Sequence, residues 1–348
     1  MDWTEIDGNS LTDPESISSA LALPSGDLAE VMSQYPARIN SYYLSLIEAA
    51  GDGIFRQVVP YPDEVSETNN NLPDDPIGEE VYSPVPNLSH RYHDRVLFLV
   101  SDRCPIYCRF CTRKRKVGRS LTVSDDTLEQ GFRYIGRHPE IRDVLLSGGD
   151  PLMLPDGSLD MILGRVGGVP HVEIKRIGTR VPAALPQRVT PDLADILKKH
   201  HPLFIHTHFN HPSELTPESR EACRTLADAG LPMGNQTVLL KGVNDDPEIL
   251  EQLFRGLLTM RIRPYYLLQG DMVRGTAHFR TAVSRGLEIM ETLHRRTSPM
   301  ALPYYVVDLP QARGKVILDR GSVLLRDNGC VLIRTPEGDT VAYPETEL

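Results

Sequence analysis

From Arg95 onward, short apolar runs alternate with longer amphipathic stretches, and this alternation restricts the fold more than any other feature of the chain. The apolar runs are residues 96–100, 144–146, 172–177, 203–205, 233–240, 264–268 and 304–307. Between them lie 125–137, 159–164, 191–199, 217–229, 247–260 and 282–294, whose apolar residues recur at helical spacing. Strands that alternate with helices build a parallel sheet, because each connection must cross back over the sheet before the next strand begins. Six or seven such units suit a complete or incomplete βα barrel better than two open sheets. In a barrel the chemistry gathers at the C-terminal ends of the strands. Four polar stretches fall at such ends: the loop after residue 100, Ser147-Gly-Gly-Asp150, His206-Thr-His208 and Gln269-Gly-Asp271.

The flanking regions differ in texture. Residues 11 to about 55 read as helical, with Ser25 or Asp27 as a cap for 28–32 and an apolar stripe through Tyr43, Leu44 and Ile47. Residues 60–90 are rich in Pro, Asp and Asn and read as a linker or extended arm. After Lys315, the stretches around Val323, Cys330 and Thr340 read as an antiparallel meander, with Asn328-Gly329 as its hairpin turn. The division expected is therefore 1–90, helical region and arm; 91–315, barrel; and 316–348, a β-meander flap.

Charge and cysteine usage narrow the setting. A formal charge of −10 argues against nucleic-acid binding, which favours basic surfaces. No apolar run approaches the length of a membrane span, and the acidic N-terminus has no signal-peptide pattern. The 5 cysteines do not make a disulfide framework, so a reducing cytoplasm is the natural compartment. Cys223 and Cys330 stand alone and read as packing residues.

The other three cysteines form Cys104-Pro-Ile-Tyr-Cys108-Arg-Phe-Cys111, directly after the first strand. One loop can thus present three thiolates to a single inorganic centre. A structural zinc site needs four ligands, and no fourth cysteine is near. Three sulfurs suit a four-iron, four-sulfur (4Fe–4S) cluster with one iron open; a zinc knuckle short of a ligand, or a chance cluster, is the alternative. The loop continues into Thr112-Arg113-Lys-Arg-Lys116, where Arg113 can face the same cavity and bind a carboxylate bidentately. Ser147, Gly148, Gly149 and Asp150 let backbone approach a ligand closely or form an ordinary tight turn. Lys315 follows a strand and a glycine, as a Schiff-base lysine would, or is a surface lysine. Asp271 and Asp308 both follow strands and together would clamp an ammonium group; each alone would serve as a turn or cap residue. His206, His208 and His211 have metal-like spacing, but an iron site already has its ligands.

The string Cys-Pro-Ile-Tyr-Cys-Arg-Phe-Cys-Thr-Arg-Lys-Arg resembles the radical S-adenosylmethionine (SAM) superfamily, and within it the lysine 2,3-aminomutase family. Further motifs carry the same resemblance, from about Tyr42 to the terminal meander: His90-Arg-Tyr-His-Asp-Arg-Val, Leu145-Leu-Ser-Gly-Gly-Asp, Thr207-His-Phe-Asn-His-Pro, Gly234-Asn-Gln-Thr-Val-Leu-Leu-Lys-Gly, Arg263-Pro-Tyr-Tyr and His278-Phe-Arg-Thr. It implies an α/β fold: an incomplete βα radical SAM barrel with an N-terminal helical extension and a small C-terminal β-meander. It implies a 4Fe–4S cluster on Cys104, Cys108 and Cys111. SAM would chelate the fourth iron and be positioned by Ser147, Gly148, Gly149, Asp150, His208 and Gln236. Pyridoxal 5′-phosphate (PLP) would be held by Lys315, with Arg91 and Arg95 at its phosphate.

The implied activity is an isomerase that moves the α-amino group of a small amino-acid substrate from C2 to C3. A radical made from SAM takes and returns the hydrogen, and PLP carries the nitrogen. Arg113 would hold the α-carboxylate, and Asp271 with Asp308 the distal ammonium of L-lysine, giving β-lysine. Another basic amino acid, a protein-bound lysine or a PLP-free radical SAM oxidoreductase are the alternatives. The expected partners are an electron donor such as flavodoxin or ferredoxin and further copies of the chain in a homo-oligomer. Asp246 stands where the family has a zinc cysteine, and the chain ends at Leu348 without a cysteine-bearing tail; no interface zinc is expected. Gly270 and Gln311-Ala-Arg also depart from the family's pattern.

Overall fold

A computed structural model describes residues 2–119, 123–310, 313–327 and 329–345. Among them, a nine-stranded sheet runs in chain order: β1 (Leu88–Tyr92), β2 (Arg95–Ser101), β3 (Asp143–Gly148), β4 (Ile174–Gly178), β5 (Leu203–Thr207), β6 (Met233–Leu239), β7 (Ile262–Gln269), β8 (Tyr304–Asp308) and β9 (Lys315–Ile317). Strands β2 to β8 are parallel to their neighbours; β1 and β9 are antiparallel edges. β1 and β9 do not pair with each other, so the barrel stays open. All seven apolar runs are strands. Their near-continuous hydrophobicity follows from burial on both faces: in β2, Val96, Phe98, Leu99 and Val100 are all buried.

The barrel helices cover the outer face. They are α7 (Asp125–Arg137), α8 (Asp156–Gly167), α10 (Pro191–Lys198), α11 (Pro217–Asp228), α12 (Pro247–Thr259) and α13 (Val283–Arg296), with the short α9 (Val181–Ala184) after β4. Their starts are chemically marked. Ser124, Thr190, Thr216 and Asp246 each accept a backbone N–H in the first turn, and proline opens α10, α11 and α12. Asp246 is therefore a helix cap. In α7, Leu128, Phe132 and Ile135 turn inward at spacings of four and three, and Phe132 meets Phe98 of β2 edge-on at 5.6 Å.

The N-terminal region is more broken than its sequence suggests. It holds α1 (Trp3–Gly8), α2 (Pro14–Leu21), α3 (Ser25–Gln34), α4 (Ser41–Leu44) and α5 (Phe55–Val58). Helix α3 starts three residues before Leu28 and has Pro24, not Ser25 or Asp27, at its cap. Ile39 pairs with Leu11 in an isolated bridge rather than continuing a helical stripe. Residues 60–87 hold only a 3-10 turn at Pro62–Val65 and α6 (Glu67–Asn70). Yet this segment is docked on the barrel as a strap, through charges on the cysteine loop.

Beyond the barrel, β10 (Val323–Asp327), β11 (Cys330–Arg334) and β12 (Thr340–Pro344) form an antiparallel sheet, as expected of the meander. Asn328 of the anticipated turn, and Gln311 and Ala312 ahead of Lys315, lie outside the described residues. The small sheet packs Val331, Ile333, Val341 and Tyr343 into the main core. Arg280 ties it to the mouth by donating to the Pro344 carbonyl at 2.8 Å and stacking on the Tyr343 ring at 5.7 Å.

Candidate active site

The cysteine loop leaves β2 at the C-terminal mouth and is fixed from three sides. The Gly148-Gly149 turn lies against its base: Gly149 N donates to the Ser101 carbonyl and Asp150 N to the Arg103 carbonyl, both at 2.6 Å. A Cβ on Gly148 would come within 2.2 Å of the Ser101 carbonyl oxygen, and one on Gly149 within 2.3 Å of that of Arg103. Glycine is needed here because backbone meets backbone. The Asp150 carboxylate accepts from Leu152 N, Thr179 Oγ1, Arg180 N and Val181 N, so it knits β3 to the start of α9. From the N-terminal side, the loop's Tyr107 N reaches the Arg38 carbonyl and Arg109 N that of Gln57. The buried Arg109 guanidinium meets Glu64 of the strap at 2.6 Å.

Cys104, Cys108 and Cys111 are free thiols close enough to influence one another. Burial, Asp150 and the other two cysteines push Cys104 well up; burial and Cys108 raise Cys111 to about 11. Among the described residues no three Cys, His, Asp or Glu side chains already converge as a metal site. The donor set itself, three partly buried free thiols on one loop, fits a cluster with three cysteine-bound irons. Cys108 Sγ accepts from Arg180 Nη1 at 2.6 Å. Arg180 also reaches Tyr43, Gln57 and Glu214 in a buried hub. The sequence reading passed over it. A cation just after β4, at the catalytic end of the sheet, was the available signal.

Next along the mouth, His208 packs on Phe110 of the cysteine loop with ring centroids 5.5 Å apart. Burial and Arg180 hold its imidazole neutral, down to about 3. Its Nε2 is buried and finds no hydrogen-bond partner among the described residues, which fits a ligand such as SAM. Gln236 contacts His206 at 3.4 Å, and the His206 ring lies beside Tyr265. His211 caps the turn at Pro212. The three histidines therefore serve separate ends. Ser147 is the penultimate residue of β3, directly before Gly148.

The last strands bring together Lys315, Asp308 and Arg91. Asp308 and Lys315 face each other across the β8–β9 pair and form an ion pair. Arg91 Nη1 reaches the other Asp308 oxygen at 3.5 Å. Arg91 Nε and Nη2 are buried without partners among the described residues. Unspent guanidinium donors beside a lysine ammonium fit a phosphate-bearing aldehyde such as PLP. Tyr266, which the sequence reading quoted only in a motif, lies 5.3 Å below the lysine ammonium and stacks on Tyr265. Arg95 is less drawn in: it pairs with Asp94, stacks on Tyr92 at 4.1 Å and is 41% exposed.

Asp271 and Asp308 line one small cavity of about 60 Å³, together with Phe110, Thr112 and Arg280. Thr112 donates to Asp271 at 2.9 Å. Burial, and then the Asp308 charge, push Asp271 up to about 6. Arg113 follows Thr112, so three successive residues face the cluster position, the acid pair and the strap. The partner of Arg113 is Glu79 of the strap, at 2.5 Å. A larger groove of about 480 Å³ lies between α13 and β8–β9, beside Tyr304, Leu287 and Ile317. It carries none of the residues that hold the chemistry.

A cysteine triad at the mouth of an open parallel βα sheet defines a class, and residues 98–253 match the radical SAM superfamily. More specifically, the chain is 44% identical over 352 residues to L-lysine 2,3-aminomutase of Fusobacterium nucleatum, covering 99% of this chain and 83% of that protein. The Methanococcus maripaludis enzyme of the same name is also 44% identical, over 97% of this chain and 80% of that one. Glutamate 2,3-aminomutase of Clostridioides difficile is 40% identical, over 98% and 82%. The chain belongs to the lysine 2,3-aminomutase family. That family combines the 4Fe–4S cluster and SAM of the superfamily with PLP.

Proposed function

We propose that this chain is a 2,3-aminomutase acting on L-lysine and giving β-lysine. One observation carries the substrate: Asp308 already holds a primary ammonium, that of Lys315, beside the second carboxylate of Asp271. Two acids in one cavity favour a cationic side chain and repel the carboxylate of glutamate. In this reading Arg113 takes the α-carboxylate, Lys315 anchors PLP, and Arg91, with Arg95 at its margin, meets the phosphate. Cys104, Cys108 and Cys111 hold the cluster. Gly148, Gly149 and Asp150 fix the loop that carries it, while Ser147, His208 and Gln236 face SAM. When bound, the cluster and SAM supply the hydrogen-abstracting radical and PLP the carrier for the amino group. The strap and the C-terminal sheet shield the mouth from water.

The finer setting is a reducing cytoplasm, suited to free thiols, with flavodoxin or ferredoxin as electron donor and a homo-oligomeric assembly. The test of the substrate is direct. Anaerobically reconstituted enzyme with PLP, SAM and reductant is offered lysine, ornithine, arginine and glutamate separately, and NMR reports the isomer formed. Lysine is expected to react and glutamate not. Reaction with glutamate alone would overturn the reading.

A further inference from the structure

The basic run after the cysteines looks like a solvated face in sequence, but each of its members meets an acid of the strap. Lys114 pairs with Glu64 at 2.5 Å, Arg115 reaches Asp75, Glu79 and Glu80 at 3.3–3.4 Å, and Lys116 pairs with Glu80 at 2.8 Å. Arg113 differs from the others in directly following Thr112, which lines the acid cavity, and in lying close enough to Cys104 and Cys111 to interact with both. Its Nε donates to Glu79 Oε1 at 2.8 Å, and its Nη2 meets the same oxygen at 2.5 Å. A guanidinium has two edges that can grip a carboxylate, Nε with Nη2 and Nη1 with Nη2. Glu79 uses the first. Among the described residues Arg113 pairs with no other acid, so the second edge, which has two parallel N–H groups, can take another carboxylate.

Glu79 is itself held firmly. Its side chain is 5% exposed. Its backbone N–H and that of Glu80 are both capped by Asp75, at 3.0 and 2.9 Å, and its carbonyl accepts from Ser83 Oγ at 2.6 Å. Arg115 braces the second carboxylate oxygen at 3.3 Å. An acid fixed by its own turn, and buried against one edge of a guanidinium, sets the rotation of that guanidinium.

We propose that Glu79 is a positioning residue for the substrate α-carboxylate: it grips the Nε edge of Arg113 and aims the opposite edge into the site. The inference rests on the reading of Arg113 as the carboxylate receptor. It does not depend on which amino acid is the substrate, because every α-amino acid brings the same carboxylate. Glu79 touches no reacting atom and acts through Arg113 alone.

The test uses the full chain loaded with cluster and PLP, in the wild type and in Glu79→Gln and Glu79→Asp. Binding of L-lysine and of 1,5-diaminopentane, which is lysine without its carboxylate, is measured by calorimetry and by the visible PLP band. Glu79→Gln is expected to weaken lysine about tenfold, a typical loss for one charge-assisted contact, and to leave the diamine unchanged. Glu79→Asp, which keeps the charge, is expected to restore part of the loss. In turnover the defect should appear in KM and spare kcat. Equal weakening of both ligands would reduce Glu79 to a structural role and overturn the proposal. Tighter lysine binding would also overturn it, because Glu79 would then be competing with the substrate. If the wild type binds glutamate and not lysine, the substrate assignment fails; the same variants are then compared on glutamate and its decarboxylated analogue, and Glu79 is still tested.

Discussion

At the scale of single residues, the proposed function assigns the substrate choice to Asp271 and Asp308, whose surroundings differ. Asp308 faces Lys315 and Arg91. Asp271 faces Thr112 and a like charge, so burial and Asp308 raise its carboxyl to about 6. A protonated Asp271 cannot hold an ammonium ion, so lysine affinity should rise as pH climbs through about 6 and level off above it. Calorimetric titration across that range checks this, and Asp271→Asn should flatten the profile. The sign for folding is opposite. The native state holds this proton longer than the unfolded chain, whose carboxyl titrates near about 4, so the stability contributed by protonated Asp271 is lost as pH rises through about 6. Arg91 offers a second residue-scale test. Its two unpartnered donors need an anion, so Arg91→Ala should release PLP on dialysis about tenfold faster while leaving the fold's circular dichroism unchanged. The cysteines and the two acids stood out in sequence because each lies at or just past the end of an apolar run, whereas Lys315, which opens β9, stood out only through the family resemblance. The grip of Asp150 on α9 was not legible, since backbone amides leave no trace in a sequence.

The strap is the element whose meaning changed most. Read alone, residues 60–90 are polar, proline-rich and without periodicity, which describes a linker. What the sequence did contain was complementarity, acids at 64, 75, 79 and 80 against bases at 109 and 113–116. That pattern acquires meaning only when the two segments are known to touch. At its centre, burial raises the Glu64 carboxyl, but Arg109 and Lys114 outweigh this and hold it at about 2. Burial draws Lys114 down to about 8, so Glu64 and Lys114 stay oppositely charged near neutral pH. Glu64→Gln would leave two buried cations unopposed, at a cost of about 3–5 kcal/mol. Urea denaturation measures that loss, and limited proteolysis should then cut the released strap before the barrel. Because the Glu64 value is depressed, its contribution is present above the unfolded value and lost as pH falls towards about 2. The parallel barrel strands and the long helices, by contrast, were legible to within three residues at each end. Their apolar periods and their Thr and Pro starts are local signals, whereas the short N-terminal helices depend on tertiary contacts that break their stripes.

At the scale of the molecule, an open sheet gains its enclosure from outside the barrel. The strap closes one side of the mouth through the cysteine loop, and the C-terminal sheet approaches the other through Arg280 and Tyr343. Between them, Thr112, which donates to Asp271, and Arg113 follow the last thiol directly along the cysteine loop. In the proposed assignment, a substrate held by its carboxylate at one end and its ammonium at the other is fixed in register with both cofactors. The proposed function turns on selection of a cationic side chain by Asp271 and Asp308. The most direct measurement is a competition: reconstituted enzyme receives equal lysine and glutamate, and NMR follows both β-isomers, in the wild type and in Asp308→Asn. β-Lysine alone is expected from the wild type, with loss of that product in the variant. Accumulation of β-glutamate by the wild type, or undiminished β-lysine from Asp308→Asn, would contradict that selection.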